Sequence, residues 1–158
     1  MDSNQLREAL ARLPAGVVVV SSRDGHGFRG MTATSFTSVS LEPPLVLVCL
    51  DHLAATRDAV AVSGHFNVSL LAREQEFLAD RFSGRAPQVD PAWREVPHRL
   101  GSNGLPLLSG SAAWFECRLQ ALHETGDHDV AVGAVFSAGV GEGEPLVHWE
   151  RSFWRLAQ

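Results

Sequence analysis

The hydrophobic residues of this chain follow a helical period in three short stretches and a strand-like pattern in most of the others. The predicted helices span residues 3–13, 55–62 and 73–82. Ser3 is a favourable N-cap for the first helix, and Pro14 ends it. In the third helix, the predicted buried stripe consists of Phe77, Leu78 and Phe82.

Alternating or continuous apolar runs predict strands for most of the remaining chain. The predicted strands are residues 17–20, 28–34, 45–50, 65–71, 115–121 and 130–136, with two short edge strands at 145–149 and 153–156. Residues 45–50 contain no polar side chain, so we expect that strand to be buried on both faces. In the strand 115–121, Cys117 belongs to the apolar face and Glu116 to the polar one. Six or seven strands joined mostly by hairpins predict a mainly β fold, an antiparallel barrel that is closed or nearly closed.

The length of 158 residues suits a single domain, and we expect residues 1–158 to form one. No internal repeat or linker divides the sequence. Residues 83–110 are rich in Pro, Gly, Asn and Ser, and a loop of that length in a compact domain is usually functional or loosely ordered.

Composition and charge exclude several classes of function. The net charge of −5 and the lack of a Lys/Arg-rich block argue against nucleic-acid binding. The chain contains no Lys, so an anionic ligand has to be bound by Arg, backbone N–H groups or hydroxyls. Neither a signal peptide nor a membrane span is evident, and we expect a cytoplasmic protein. Cys49 and Cys117 then favour reduced thiols over the alternative, a disulfide between strands.

Three common site motifs are excluded by the sequence. Residues 139–143 resemble a dinucleotide-binding glycine motif, but no helix follows them. A P-loop is excluded because there is no Lys, and no G-x-S-x-G motif is present. His123, His128 and Asp129 surround a turn at 124–127, which allows a metal site or, more simply, a solvated turn; we expect no metal.

Two segments have the chemistry of a ligand site. Residues 32–40 combine hydroxyls with small side chains, which let a ligand approach the backbone and supply neutral hydrogen-bonding groups. Residues 52–57 follow a buried strand and begin a helix, whose free N–H groups and positive dipole end suit a phosphate. Thr56 would add a hydroxyl and Arg57 a charge. From the residues alone, a plain helix start is an equal alternative.

The stretch GMTATSFTSVSLEPPLVLVCL, residues 30–50, resembles the flavin reductase-like family. This family comprises FMN-binding split barrels and includes the reductase components of two-component flavin monooxygenases. The resemblance extends from Leu6 to Phe153 and is least specific over residues 83–110. It implies an antiparallel FMN-binding split β-barrel with a few short helices. It also implies a homodimer, with FMN or FAD as flavin and NADH or NADPH as hydride donor.

The resemblance also implies roles for individual residues. Gly126, Asp127 and His128 match a turn that places its His beside the flavin ring, which makes His128 the predicted catalytic residue. The Thr56–Arg57 pair matches a phosphate-binding cluster, although Ala54 or Ala55 replaces its usual hydroxyl. The predicted flavin-binding residues are Thr32, Ala33, Thr34, Ser35, Ser38, Val39, Ser40, Cys49, Leu50, Asp51, Ala55, Thr56, Arg57, Phe82 and Arg151.

The function implied is an NAD(P)H-dependent flavin reductase that supplies reduced flavin to a partner monooxygenase. Two alternatives stay open from the sequence. One is a flavoprotein oxidoreductase with tightly bound FMN that acts on an organic substrate. The other is a non-catalytic flavin-binding partner protein.

Overall fold

A computed structural model describes residues 1–84 and 93–157 of the chain. The helices are α1 (Ser3–Leu10), α2 (Ala55–Ser63) and α3 (Glu76–Arg81), the last preceded by a 3₁₀ turn at Arg73–Gln75. The strands are β1 (Ala15–Gly16), β2 (Val18–Asp24), β3 (Gly27–Ala33), β4 (Thr37–Leu41), β5 (Pro44–Asp51), β6 (His65–Leu70), β7 (His98–Leu100), β8 (Pro106–Leu108), β9 (Ala113–Thr125), β10 (His128–Val140), β11 (Val147–Trp149) and β12 (Ser152–Trp154). No helix among these residues is long and apolar enough to cross a membrane.

Seven antiparallel strands form the main sheet, in the order β3-β2-β6-β9-β10-β5-β4. The two edge strands, β3 and β4, are joined by the short link at residues 34–36. In this link the Ser35 hydroxyl accepts a hydrogen bond from the Cys49 N–H at 3.0 Å, which ties the end of β3 to β5. The sheet therefore curls until its edges approach each other, and the predicted mainly β, antiparallel fold is confirmed. Smaller sheets, β1-β11-β12 and β7-β8, complete the structure.

Both faces of β2 are covered because the chain builds one apolar layer on each side of it. Val18 and Val20 face the inside of the curled sheet, where they join Phe66 and Leu50. Val17, Val19, Leu71, Leu78, Phe82, Trp93, Leu108 and Leu146 belong to a second cluster on the outer face. The second layer places α3 and Trp93 over the sheet, beside the end of β3.

The prediction of a long loop at residues 83–110 is wrong for its second half. The β7-β8 hairpin packs on the sheet through buried polar groups: the Ser21 hydroxyl donates to the Pro106 carbonyl at 2.6 Å, and the Leu108 N–H donates to the Ser69 hydroxyl at 3.0 Å. Hydrogen bonds of this kind satisfy the backbone groups of a segment that lacks a long apolar run. Residues 85–92 lie outside the described residues.

The strand β5 is buried on one face only, which corrects the expectation of burial on both. Val46, Val48 and Leu50 point into the core, while Leu45 and Leu47 are partly exposed. In β9 the predicted polar face is partly covered as well, because the β7-β8 hairpin buries Glu116, whose carboxylate accepts a hydrogen bond from the Ser102 hydroxyl at 3.0 Å. The apolar pattern therefore predicted the positions of these strands correctly, but it did not indicate which of their faces are covered.

Two details of the helices differ from the prediction. Asp2, and not Ser3, is the N-cap of α1, and its Oδ1 accepts a hydrogen bond from the Asn4 N–H at 3.1 Å. In the third helix Leu78 and Phe82 are buried as predicted, but Phe77 is 60% exposed. Ala79 takes the buried position instead, beside Leu78.

The glycine-rich run at residues 139–143 serves close packing. A Cβ on Gly139, the first of them, would lie 2.5 Å from the Trp114 ring, and one on Gly141 would lie 1.9 Å from the Ser111 carbonyl oxygen. Gly139 lies in strand β10 and not at the start of a helix, so this run is not a dinucleotide-binding motif.

Candidate functional site

A cavity of about 1300 Å³ opens where the ends of β3, β5 and α3 meet the start of α2. Backbone and side chains from all four elements line it, together with the β10 start and the β11-β12 hairpin. The lining residues used below are Gly30, Thr32, Ala33, Thr34, Ser35, Cys49, Asp51, Leu53, Ala54, Ala55, Thr56, Phe82, Trp93, His128, His148, Arg151 and Phe153.

The hydroxyls of residues 32–35 are not equivalent. The Thr32 hydroxyl donates to the Ala79 carbonyl at 2.7 Å, and the Thr32 N–H donates to the Phe82 carbonyl at 2.8 Å, so this residue joins β3 to α3. Ser35 is bound to the backbone of Cys49. Thr34 lies between them on the cavity wall and is exposed. Thr34 is therefore the hydroxyl best placed to meet a ligand, while the other two shape the wall.

Aromatic rings form the other end of the cavity. The Phe82 and Trp93 ring centroids lie 4.9 Å apart, and Phe28 meets Trp93 edge-on at 6.4 Å. A Cβ on Gly30 would lie 2.9 Å from the Phe82 ring and 3.0 Å from the Trp93 ring, so glycine is needed for this packing. Phe82 is thus both a core residue, as its helical spacing predicted, and part of the cavity wall.

The start of α2 has the features of an anion site. Ala54 occupies the N-cap position and has no polar side chain to bind the first N–H groups of the helix. Residues 53–56 all line the cavity. Free N–H groups at the positive end of a helix dipole bind phosphates well, so this turn fits the phosphate of a nucleotide.

A buried ionic cluster lies directly behind this turn. Asp129, on β10, is 1% exposed, and its carboxylate bonds to His52 Nε2 at 2.8 Å and Arg57 Nε at 2.6 Å. Burial raises the pKa of Asp129, but the hydrogen bonds from His52 and Arg57 outweigh it, so the pKa lies below its usual value. Arg57 also bonds to Asp58 at 3.0 Å. Its pKa is raised by the hydrogen bonds to Asp58 and Asp129.

His128 lines the cavity at the beginning of β10, opposite Asp51 of β5. Its Nδ1 lies 2.7 Å from Oδ1 of Asp127, and this hydrogen bond lowers the pKa of the Asp127 carboxyl. The bond orients the imidazole at the cavity and leaves Nε2 for a ligand.

Arg151 reaches the cavity from an unusual turn. Glu150 and Arg151, which connect β11 to β12, have positive φ angles of 47° and 63°. Such angles are unfavourable for residues other than glycine. The turn is held by a hydrogen bond from the Glu150 N–H to the Ala11 carbonyl at 2.9 Å and by an ion pair between Glu150 and Arg12. The strained turn thus places a positive charge on the cavity wall.

Most of the predicted binding residues lie on this one cavity. Those that line it are Thr32, Ala33, Thr34, Ser35, Cys49, Asp51, Ala55, Thr56, Phe82, His128 and Arg151. Their roles in binding remain predictions.

Five predicted residues do not line the cavity. Ser38, Val39 and Ser40 lie on the edge strand β4, beyond the link that turns the chain away from the cavity. Leu50 is fully buried in the core. Arg57 is directed to Asp129 and Asp58 instead.

Several cavity residues were missed from the sequence. Trp93 lies in the Pro/Gly-rich segment, where a lone aromatic residue was the available signal. Leu53 is 95% exposed at the cavity mouth, directly after the predicted strand. His148 and Phe153 pack edge-on at 5.7 Å in the terminal hairpin, which was predicted only as a pair of edge strands.

The turn between β9 and β10 does not assemble a metal site. His128 bonds to Asp127, whereas Asp129 points inward to His52 and Arg57. Among the residues that the structure describes, no three His, Cys, Asp or Glu side chains come together as metal ligands.

Both cysteines are free thiols in different surroundings. Cys117 is buried in the core, and burial, together with the nearby Glu116, raises its pKa to about 12. Cys49 is partly exposed and lines the cavity.

The residues around the cavity fit a flavin nucleotide. The α2 start suits its phosphate, the exposed Thr34 and nearby backbone suit the polar edge of its ring, and the aromatic end suits apolar ring surface.

Comparison with known proteins supports this assignment. The family profile described as Flavin reductase like domain matches residues 10–157. The reductase component of 4-hydroxyphenylacetate 3-monooxygenase from Thermus thermophilus is 42% identical over 151 residues, which cover 95% of this chain and 94% of the relative. An NADH-dependent flavin reductase from a Rhodococcus species is 38% identical over 157 residues, which cover 96% of this chain and 85% of the relative.

A solved structure shows the same fold. The NADH:FAD oxidoreductase SgcE6 of Streptomyces globisporus superposes with a TM-score of 0.90 at 38% identity, covering 99% of this chain and 95% of that one. These matches confirm the resemblance first seen in residues 30–50. The chain belongs to the flavin reductase-like family.

Proposed function

We propose that this chain is an NAD(P)H-dependent flavin reductase that supplies reduced FMN or FAD to a separate flavin-dependent monooxygenase. The observation that carries the proposal is the cavity. Its volume of about 1300 Å³ exceeds the roughly 300–1,000 Å³ of a site for one drug-sized ligand, so it has room for a flavin and a nicotinamide together. The relatives described above carry out this chemistry according to their names.

The reaction depends on orientation. A bound flavin supplies a ring that accepts a hydride directly from a reduced nicotinamide, so no side chain has to carry a proton. The α2 start binds the phosphate, and Phe82 with Trp93 limits the space at the other end. Holding two reactants in a productive geometry can contribute about 7–11 kcal/mol to lowering the barrier. The Thr34 hydroxyl and nearby backbone N–H groups on the cavity wall stabilise negative charge that develops on the ring.

His128 positions the nicotinamide in this scheme. Its Nδ1 is engaged with Asp127, and its ring forms part of the cavity wall. Because Nδ1–H donates to the Asp127 carboxylate, a neutral imidazole at this position accepts one hydrogen bond at Nε2 from the carboxamide N–H₂ of the hydride donor and takes no proton itself.

The proposed assembly is a homodimer. On β5 and β10, Leu45, Leu47, Val130 and Val132 form a row of partly exposed apolar side chains on the outer face of the sheet, where Leu47 pairs with Val132. Contiguous apolar surface on one chain usually marks an interface, and a two-fold dimer buries it on both copies.

Sedimentation velocity tests the dimer. The unaltered protein should sediment as a dimer at micromolar concentration, and Leu47→Arg should shift it towards monomer, because a charge would be placed in the apolar contact. A monomeric unaltered protein with full activity would contradict the assembly.

Two simple measurements test the enzymatic function. The absorption spectrum of the purified protein reports bound flavin, and NADH or NADPH oxidation is then followed with FMN or FAD added in excess. We expect turnover that depends on added, exchangeable flavin. Tightly held flavin that does not exchange would support the alternative of an oxidoreductase acting on an organic substrate. No oxidation of either nucleotide would support a non-catalytic flavin-binding protein.

The functional unit proposed here is the single domain of residues 1–158, and the compartment proposed is the cytoplasm. The two free thiols support that compartment, since cysteines are kept reduced there.

A further inference from the structure

The carboxylate of Asp129 holds both ends of the turn that begins α2, although it does not line the cavity itself. It accepts hydrogen bonds from His52, which precedes the turn, and from Arg57, which follows it. Residues 53–56 between them form the cavity wall. We propose that Asp129 is a positioning residue that fixes this turn as the binding site for the flavin phosphate. The proposal rests on the flavin reductase function described above.

Other hydrogen bonds hold the near side of the turn, among them one from the His52 N–H to the Asp127 carbonyl at 3.1 Å. The Leu53 N–H donates to Oδ1 of Asp51 at 2.8 Å, and the Ala54 N–H donates to the Asp51 carbonyl at 3.0 Å. Both bonds come from a residue of β5, on the near side of the turn. Asp129 adds an attachment from β10, the strand that pairs with β5. Its bond to Arg57 holds the far side of the turn.

Arg57 has a different role from the one that the sequence predicted. Its Nε bonds to Asp129 and its Nη1 to Asp58, so two carboxylates balance its charge. The attraction for a phosphate at this turn then comes mainly from the backbone N–H groups of α2. Such groups bind an anion well only when they point at it, which makes the placement of the turn decisive.

The buried position of Asp129 gives this attachment its rigidity. At 1% exposure the carboxylate is largely removed from solvent. In such buried surroundings, hydrogen bonds to a charged group are strong, and the loss of one partner leaves the other uncompensated. Because the carboxylate is ionised, it only accepts hydrogen bonds, so His52 carries its hydrogen on Nε2.

The test compares two flavins that differ only in the phosphate. FMN carries it and riboflavin does not, so a residue that positions the phosphate site affects FMN alone. Asp129→Asn keeps the side-chain size but removes the charge and turns an N–H₂ group towards one of the two donors. We expect FMN affinity, measured by fluorescence titration, to fall about 10-fold or more, and riboflavin affinity to stay within about twofold.

Asp58→Asn is the matched control. Asp58 also bonds to Arg57, but its side chain is 67% exposed and does not bond to His52, so both flavin affinities should change by less than about twofold. If Asp129→Asn fails to fold, His52→Ala removes one of the two bonds at a partly exposed position and should weaken FMN selectively by about 3- to 10-fold.

Two results would overturn the proposal. One is an equal loss of FMN and riboflavin affinity, which would show a general structural role. The other is no loss of FMN affinity in either variant. Failure of the reductase function gives a different signature, because it would appear as absent NAD(P)H oxidation in the unaltered protein, whatever the two flavin affinities are.

Discussion

The two ends of the cavity are built in different ways. The aromatic end consists of the Phe82 and Trp93 rings packed against Gly30, so it depends on side-chain volume. The polar end, at residues 32–35 and the α2 start, consists of backbone groups and short side chains held by hydrogen bonds. A change of volume should therefore damage the first end, and the loss of one donor should damage the second. The following predictions test this distinction.

The largest effect on stability is expected from Gly30→Ala at the aromatic end. The added Cβ would lie 2.9 Å from the Phe82 ring, and the rings are too well packed to move freely. Overpacking of this kind typically costs about 1–3 kcal/mol in free energy of unfolding, measurable by urea denaturation. Gly25→Ala is the control, because a Cβ there meets nothing within 4 Å. Equal stability of the two variants would show that the aromatic end tolerates added volume.

Removing His128 should affect the hydride donor and spare the flavin. His128→Ala takes away one oriented contact and part of the wall, so kcat/KM for NAD(P)H should fall roughly 5- to 150-fold, equivalent to about 1–3 kcal/mol. Flavin affinity should stay nearly the same. Steady-state kinetics with varied NADH at saturating flavin measure this, and unchanged kcat/KM would make His128 an ordinary turn residue.

At the polar end, Thr34→Val removes one hydroxyl while nearly keeping the volume. We expect flavin affinity to fall about 2- to 10-fold, the value of one neutral hydrogen bond, with stability little changed because Thr34 is exposed. Thr37→Val is the matched control, since Thr37 lies on β4 and does not line the cavity. If both variants bind flavin equally well, the hydroxyl of Thr34 takes no part in binding.

The reactivity of the two cysteines tests the structure without any change of sequence. A raised pKa keeps the Cys117 thiol protonated at pH 8, and only the thiolate is nucleophilic, so iodoacetamide should not modify it in the folded protein. Cys49 is partly exposed on the cavity and should react, and saturating FMN should slow that reaction. Mass spectrometry of the alkylated protein separates the two sites. Modification of Cys117 at a rate similar to that of Cys49 would contradict the buried position.

The hydroxyl-rich segment shows how far local sequence could predict the site. Its composition is uniform over residues 32–40 and predicts a ligand site there, and residues 32–35 line the cavity. The second half belongs to β4 and leaves the cavity. The boundary is the link at Ser35, whose bond to Cys49 comes from a strand that follows later in the chain. A contact of that kind has no signal in the segment itself.

Arg57 and Asp129 show the same limit for charged residues. The helix start at residue 55 was predictable from the buried strand before it and the helical pattern after it. The direction of the Arg57 side chain depends on Asp129, which lies 72 positions later and is brought close only when β10 pairs with β5. For that reason the sequence indicates only a turn at Asp129 and carries no signal of its bond to Arg57.

The sequence by itself determined most of the strands, the antiparallel class, the family and most of the segments that line the cavity. These features follow from periodicity and from short motifs, which act over a few residues. Only the tertiary structure decided which face of β5 is buried, which hydroxyls meet the cavity, and how the aromatic end closes around Gly30. Those outcomes depend on pairing between strands far apart in the chain, and a period of two residues cannot specify which face the partner covers.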